Sequence, residues 1–357
     1  MGLIRLLLAL AVVGEHARAH RALKFVGGEV AVQAFFIISG FYMAMVIKNY
    51  VTAADFWKSR YLRLYPAYIF CGFLSFWLLR GGWSGAQAFL TSPYYPTAGK
   101  VYLVFTNLTI FFQDAAMFLD MNGGTLHFTS NYRLSAPEPI VFEFLWLRQA
   151  WSLGLELSFY LLVPFVLTRS TRLIVVVMSL SFALRAWLLH LGLAMDPWTY
   201  RFFPTELAWF LAGSLAYRVY ANSAERPRNA SVQYVLFAAA VIYLLCFPFI
   251  PLEFNTSKLV FYLILLVALG AIFDLSRRSR VDNFLGLLSY PIYCVHILVL
   301  SLLVPQMKFF HVSSGFWDTL LSYLLSAAVA ALIYFLIEKP VDRYREKYKR
   351  RPVKILT

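Results

Sequence analysis

Charge is scarce in this chain. Of its 357 residues 14% are Asp, Glu, Lys or Arg, while 61% are hydrophobic and 18% aromatic; a soluble domain carries about a quarter charged residues. That balance excludes a soluble globular class and identifies an integral membrane protein. Cysteine is scarcer still. Cys71, Cys246 and Cys294 all fall inside apolar stretches without C-x-x-C spacing, so neither a disulfide framework nor a thiolate metal site is expected, and no metal is assigned. Their expected role is packing. Internal repeats, an appended soluble domain and a cleavable leader are also missing from the pattern. The first apolar run, Leu3 to Gly14, is followed by Glu15, His16, Arg18, His20, Arg21 and Lys24 without a small-residue cleavage site, so it reads as a short retained first span.

Acids are outnumbered, 18 against 32 Lys and Arg, for a formal charge of +14. The basic residues punctuate apolar segments instead of forming an interleaved basic and aromatic surface, which argues against a nucleic-acid partner. Membrane topology accounts for them better. Candidate spans of roughly 20 residues lie near 3–20, 29–48, 60–80, 151–168, 172–191, 202–220, 232–251, 257–274, 284–304 and 316–337. An eleventh stretch, 101–119, contains Asn107, Gln113 and Asp114. Cytoplasmic loops collect Lys and Arg, and every true span switches sides. With ten spans and the N-terminus inside, 21 of the 32 basic residues are cytoplasmic, among them Lys48, Lys58, Arg169, Arg172, Arg226, Arg228 and eight between Lys339 and Lys354. Counting 101–119 as a crossing worsens that bias. The expected fold class is therefore an all-α polytopic bundle of about ten spans with both termini cytoplasmic and a re-entrant or surface helix near 101–119. Its transmembrane domain is expected over 1–343, with a basic tail at 344–357 on an anionic cytoplasmic leaflet. The polar region from about 81 to 150, with Pro93, Pro96, Asn122, Gly123, Gly124, Asn131, Pro137 and Pro139, is long enough to be a functional cap.

Ionisable residues inside a membrane cost several kcal/mol unless they face a bundle interior or wet cavity. Arg5 and His16 are eleven residues apart, which returns them to one helix face about 16 Å apart. Either they serve one site, or Arg5 snorkels at one surface while His16 is solvated at the other. Ser39 and Gly40 interrupt a solid apolar run; small residues there admit a helix or an acyl chain. Arg60 and Arg63 share a face just before Pro66, suited to bidentate phosphate capture or to a plain positive-inside anchor. Ser152, Glu156 and Tyr160 recur every fourth residue, a polar ridge whose carboxylate needs a cation or a proton. His296 sits mid-helix, and Glu338, Lys339 and Arg343 mark a membrane boundary. His296 reads as a hydrogen-bonded bundle histidine.

Together these residues resemble the acyltransferase-3 family of membrane O-acyltransferases across nearly the whole chain. The resemblance rests on Arg5 with His16; the run with Phe35, Phe36, Ser39, Gly40 and Phe41; Arg60 and Arg63 before Pro66; Trp151, Ser152, Leu153 and Glu156; Ser289 to His296; and Glu338 to Pro340. The chain departs from the family at Gln33 and Leu157, where acids are usual. The resemblance implies transfer of an acyl group, usually acetyl, from cytoplasmic acyl-CoA to a hydroxyl of a cell-surface or exported carbohydrate in a bacterial inner membrane. Acyl-CoA is then a co-substrate, with no permanently bound cofactor, and carbohydrate and membrane lipid are the expected partners. His16 is assigned as general base, the usual role for a group of pKa near 6.5, or is itself transiently acylated to carry the group outward in two steps. Arg5 is expected to contact the donor, Glu156 and Ser152 to orient a basic partner or the acceptor, and Arg60, Arg63 and Ser39 to hold the coenzyme. The alternative is a transporter or flippase of a lipid-linked sugar or acyl group, disfavoured by the lack of an inverted repeat.

Overall fold

The computed structural model describes residues 1–79, 86–92, 95–122, 124–132, 140–223, 229–303 and 315–349. Pro93, Gly123, Pro137, Pro139, Arg226, Arg228 and the end of the tail from 350 onward lie outside the described residues. The chain is built from α1 (Gly2–Ala17), α2 (Gly27–Val46), α3 (Ala53–Leu78), α4 (Ala86–Thr91), α5 (Thr97–Thr109), α6 (Trp151–Val166), α7 (Thr171–His190), α8 (Phe203–Asn222), α9 (Ala230–Cys246), α10 (Phe254–Ser276), α11 (Arg280–Leu298), α12 (Gly315–Ile333) and α13 (Lys339–Arg345). Among the described residues, strands occur only as a small antiparallel hairpin, β1 (Leu119–Asn122) with β2 (Thr125–Phe128).

Helix starts follow side-chain caps. Thr52 accepts from the Asp55 amide at 3.1 Å, satisfying one of the orphan donors of the first turn, so α3 begins seven residues before the expected span. Ser279 caps α11 through the Asp282 amide and Glu253 caps α10 through the Thr256 amide. The stretch expected near 101–119 is divided: α5 has 13 residues and stops at Thr109, giving about 20 Å of helix, too short for a hydrocarbon core of about 30 Å.

Seven helical stretches, those containing α2, α6, α7, α9, α10, α11 and α12, are long and apolar enough to cross a membrane among the described residues. The three other expected spans are also helical. Of these, α1 has 16 residues and includes Arg5, α3 carries Arg60 and Arg63, and α8 carries the buried Glu206. Perimeter helices α7 and α9 turn Leu180, Val235 and Ile242 outward, the surface a lipid solvent demands. Cys71 and Cys294 are buried as expected of packing residues, whereas Cys246 is exposed on α9.

Glycine decides two contacts at the centre. A Cβ on Gly40 would stand 1.8 Å from the Phe210 carbonyl oxygen, and one on Gly213 would stand 1.8 Å from that of Ile37. The α2 and α8 backbones therefore touch, as small residues allow in membrane packing. A Cβ on Gly2 would likewise stand 1.5 Å from the Asp282 oxygen, so α1 lies directly on α11. Beside the first contact, the Gln33 amide donates to both oxygens of Glu206 at 3.0 and 2.9 Å, Tyr262 donates to Gln33 at 2.8 Å, and Arg185 pairs with Glu206. A fully buried carboxylate is thereby compensated, and Gln33 is the link between α2, α8 and α10.

Candidate functional site

Two cavities open inside the bundle. The one nearer the start of α1, named inner after the expected topology, is about 450 Å³ and is bordered by Arg5, Ser39, Arg60, Arg63, Ser152, Glu156 and Tyr160. The outer one, about 780 Å³, is bordered by His16, Glu15, Trp151, Tyr200 and Arg201. Val32 and Tyr293 belong to both walls.

The residues singled out by sequence divide between them. Six of the seven, all but His16, border the inner cavity. Glu156 accepts from Ser39 Oγ at 2.9 Å and from the Tyr160 hydroxyl, four residues on along the same helix. Among the described residues it forms no ion pair with arginine, so its expected cationic partner is replaced by two hydroxyl donors. Gly40 is spent on the α2–α8 contact while its neighbour Ser39 faces the cavity: packing and lining coexist one residue apart.

The three arginines are not equivalent. Arg63 donates to Glu338 at 2.7 Å, lies 3.8 Å from Asp342 and stands over the Tyr290 ring. Its charge is thus taken up inside the protein, and Glu338 owes its position to a π-helical turn, Tyr334–Glu338, ahead of Pro340. Arg60 donates to the Tyr50 hydroxyl at 2.9 Å and keeps a buried Nε without a partner. Arg5 makes no side-chain hydrogen bond or ion pair among the described residues. Its guanidinium passes 3.7 Å from where a Cβ on Gly286 would be, so the glycine keeps its path open. An uncompensated guanidinium in a membrane cavity is a site for an anion.

At the outer cavity, His16 lies in the last turn of α1 with its ring exposed to that space. His296, wholly buried on α11, comes from 280 residues away to face it: His296 Nε2 and His16 Nδ1 are 3.3 Å apart, with ring centroids 5.0 Å apart. The partners fix the proton positions. His296 Nδ1 lies 2.8 Å from the Tyr293 carbonyl, which only accepts, so Nδ1 carries the proton and Nε2 a lone pair. That lone pair accepts from His16 Nδ1–H, which also donates to the Val12 carbonyl at 3.0 Å. The neutral His16 ring is left with its basic lone pair on Nε2.

Tyr293 connects this pair to the inner cavity. It lies three residues before His296 on one face of α11; its hydroxyl accepts from Ser152 at 2.7 Å and donates to the Gln149 carbonyl. The Gln149 amide in turn donates to the Cys294 carbonyl at 3.1 Å, just before α11 widens into the π turn Val299–Leu303. Such turns shift the backbone pairing by one residue and release carbonyls for side chains. Sequence reading had His296 as a bundle histidine but missed its bond to His16. Gln149 was missed altogether; Tyr293 stood inside the Ser289–His296 motif without a role of its own, although its spacing from His296 was visible, and Tyr160 was read only as part of the ridge.

A family model described as an acyltransferase domain matches residues 1–339. An uncharacterized protein of Aquifex aeolicus (strain VF5) is 28% identical over 206 residues, which is 56% of this chain and 90% of that protein. No solved structure matches the chain.

Proposed function

The chain belongs to the acyltransferase-3 family, and from that premise we propose that it carries an acyl group, acetyl in the simplest case, from acyl-CoA in the inner cavity to a carbohydrate hydroxyl in the outer one. The observation that supports this reading is the pair of cavities with the common walls Val32 and Tyr293. On the ten-span topology, with both termini cytoplasmic in a bacterial inner membrane, Arg5 stands toward the cytoplasm and His16 toward the outside. Their separation along α1, about 16 Å, is the reach asked of an extended pantetheine arm.

In this reading Arg5 and Arg60 hold anionic groups of the donor, and Arg63 acts through its pair with Glu338 to fix the mouth of the cavity. Ser39, Ser152 and Glu156 line the path of the arm. His16 Nε2 takes the proton of the acceptor hydroxyl as its oxygen attacks the thioester carbonyl carbon. The C–S bond then breaks, His16 returns the proton to the departing thiolate, and the products are an ester and free thiol. His296 is a positioning residue that holds His16 in the tautomer this step requires, a task that an orienting partner performs in other histidine bases.

Purified protein in lipid nanodiscs, given acetyl-CoA and surface glycans from the producing cell, should release free thiol and add an acetyl mass to the glycan, with both signals dependent on His16. Thiol release without any ester, or neither signal with the protein folded, overturns the assignment.

A further inference from the structure

The outer cavity is built for an anion as well as for a sugar. Its wall carries four cations, Arg21, Lys24, Arg148 and Arg201, against two carboxylates, Glu15 and Glu29. Glu29 is already held by Lys258 at 2.6 Å, and Glu15 accepts from the Gly28 amide at 3.3 Å. On the proposed topology these cations stand on the outer face, where basic residues are normally depleted, so topology gives no reason for them.

Arg201 is the most specific of the four. Its guanidinium carbon lies 4.5 Å from the Trp151 ring centre, 5.0 Å from that of Phe142 and 5.5 Å from that of Tyr200. Nε alone is spent on Asp196, at 2.9 and 3.1 Å from its two oxygens. Both terminal amino groups make no hydrogen bond among the described residues. A guanidinium immobilised by three rings and one carboxylate, with two parallel donors left over at a cavity wall, has the geometry that binds carboxylate or phosphate bidentately. The neighbouring rings offer apolar faces to a pyranose.

We propose that the acceptor is an anionic glycan: a sugar bearing a carboxylate or phosphate is gripped by Arg201, with Lys24 and Arg21 adding attraction, and so presents a hydroxyl to His16. The proposal rests on the acyl-transfer reading for its purpose, but binding tests it without turnover. The probes are a trigalacturonate, the matched neutral galactotriose and glucose 1-phosphate, titrated onto the protein in nanodiscs while the reactivity of the Lys24 amine toward an acylating label is followed by peptide mass spectrometry. Trigalacturonate or glucose 1-phosphate should bind at least tenfold more tightly than galactotriose and protect Lys24, and the stronger of the two tells carboxylate from phosphate. Arg201→Gln should weaken binding of the charged probes at least tenfold and so remove their preference over galactotriose; if that variant does not fold, Lys24→Gln should still reduce the preference severalfold. Equal affinity for charged and neutral probes, a preference that persists in folded Arg201→Gln, or no binding by either charged probe overturns it. A preference for anions in a protein that forms no ester would sink the reaction and keep the site.

Discussion

The two cavities solve opposite problems with the same kind of residue. The inner one is walled almost entirely by long helices, α1, α2, α3, α6 and α11, and two of its three arginines are engaged by the protein itself. The outer one is rimmed in part by short turns and connecting segments, such as the 3-10 turns Arg21–Leu23 and Phe247–Phe249, and its wall carries more cationic than acidic side chains. Helices hold side chains to fractions of an ångström, whereas loops tolerate change. On the proposed reading, a donor shared by many enzymes suits the first construction, and an acceptor that differs between them suits the second.

The largest effect that sharpens this contrast is at His16. Its replacement, His16→Ala, should lower acyl transfer by about 10²- to 10⁴-fold, the usual worth of a general base, while membrane insertion and donor binding persist; transfer at the parental rate breaks the comparison. Next comes His296. Removing it leaves His16 without its orienting acceptor, so His296→Leu should reduce kcat on the order of 10- to 100-fold with the donor KM unchanged, and His296→Gln, which keeps an acceptor, should recover part of the loss. Arg5→Gln belongs to the inner side alone: it should raise the KM for acyl-CoA about tenfold or more, the loss expected for a hydrogen bond to a charged group, without altering the KM for the glycan. An equal change in both constants would merge the two cavities into one site.

The smallest effect concerns stability. Asp114, in the segment after α5, has a buried Oδ1 without a partner that lies 2.9 Å from where a Cβ on Gly154 would be. Burial pushes its carboxyl up to about 7, from a reference near 3.9. The folded state therefore binds a proton more tightly than the unfolded state, and the stability this group supports is complete at low pH and lost as pH rises toward 7. Asp114→Asn should raise the thermal midpoint by a few degrees at pH 8 and leave it unchanged at pH 4, as thermal scans at the two pH values would show.

Local signals carried much of the fold into view. Apolar runs of about 20 residues located the ten long helices, and the stretch at 101–119 that charge parity set apart carries a helix that stops at Thr109. The family match bears out the resemblance read from six short motifs. Pairing across the chain was the part that periodicity cannot express. Arg63 with Glu338 and His16 with His296 are 275 and 280 residues apart, and a phosphate-binding arginine looks the same in sequence as one committed to an ion pair. Glu156 illustrates the limit in the other direction: the i, i+4 ridge correctly brought Tyr160 beside it, while Ser39 on another helix was invisible as a partner.

The contact of Gly40 with Phe210 and of Gly213 with Ile37 has a mechanical consequence. Two backbones with no side chain between them leave no lubricating layer, so α2 and α8 move as one beam. A carrier whose moving seam ran along this contact would have to part the two helices to expose its load to each side in turn; a bored conduit needs no such stroke, because only the load travels. Tethering α2 to α8 by an engineered crosslink should therefore leave an acyl-passing enzyme running.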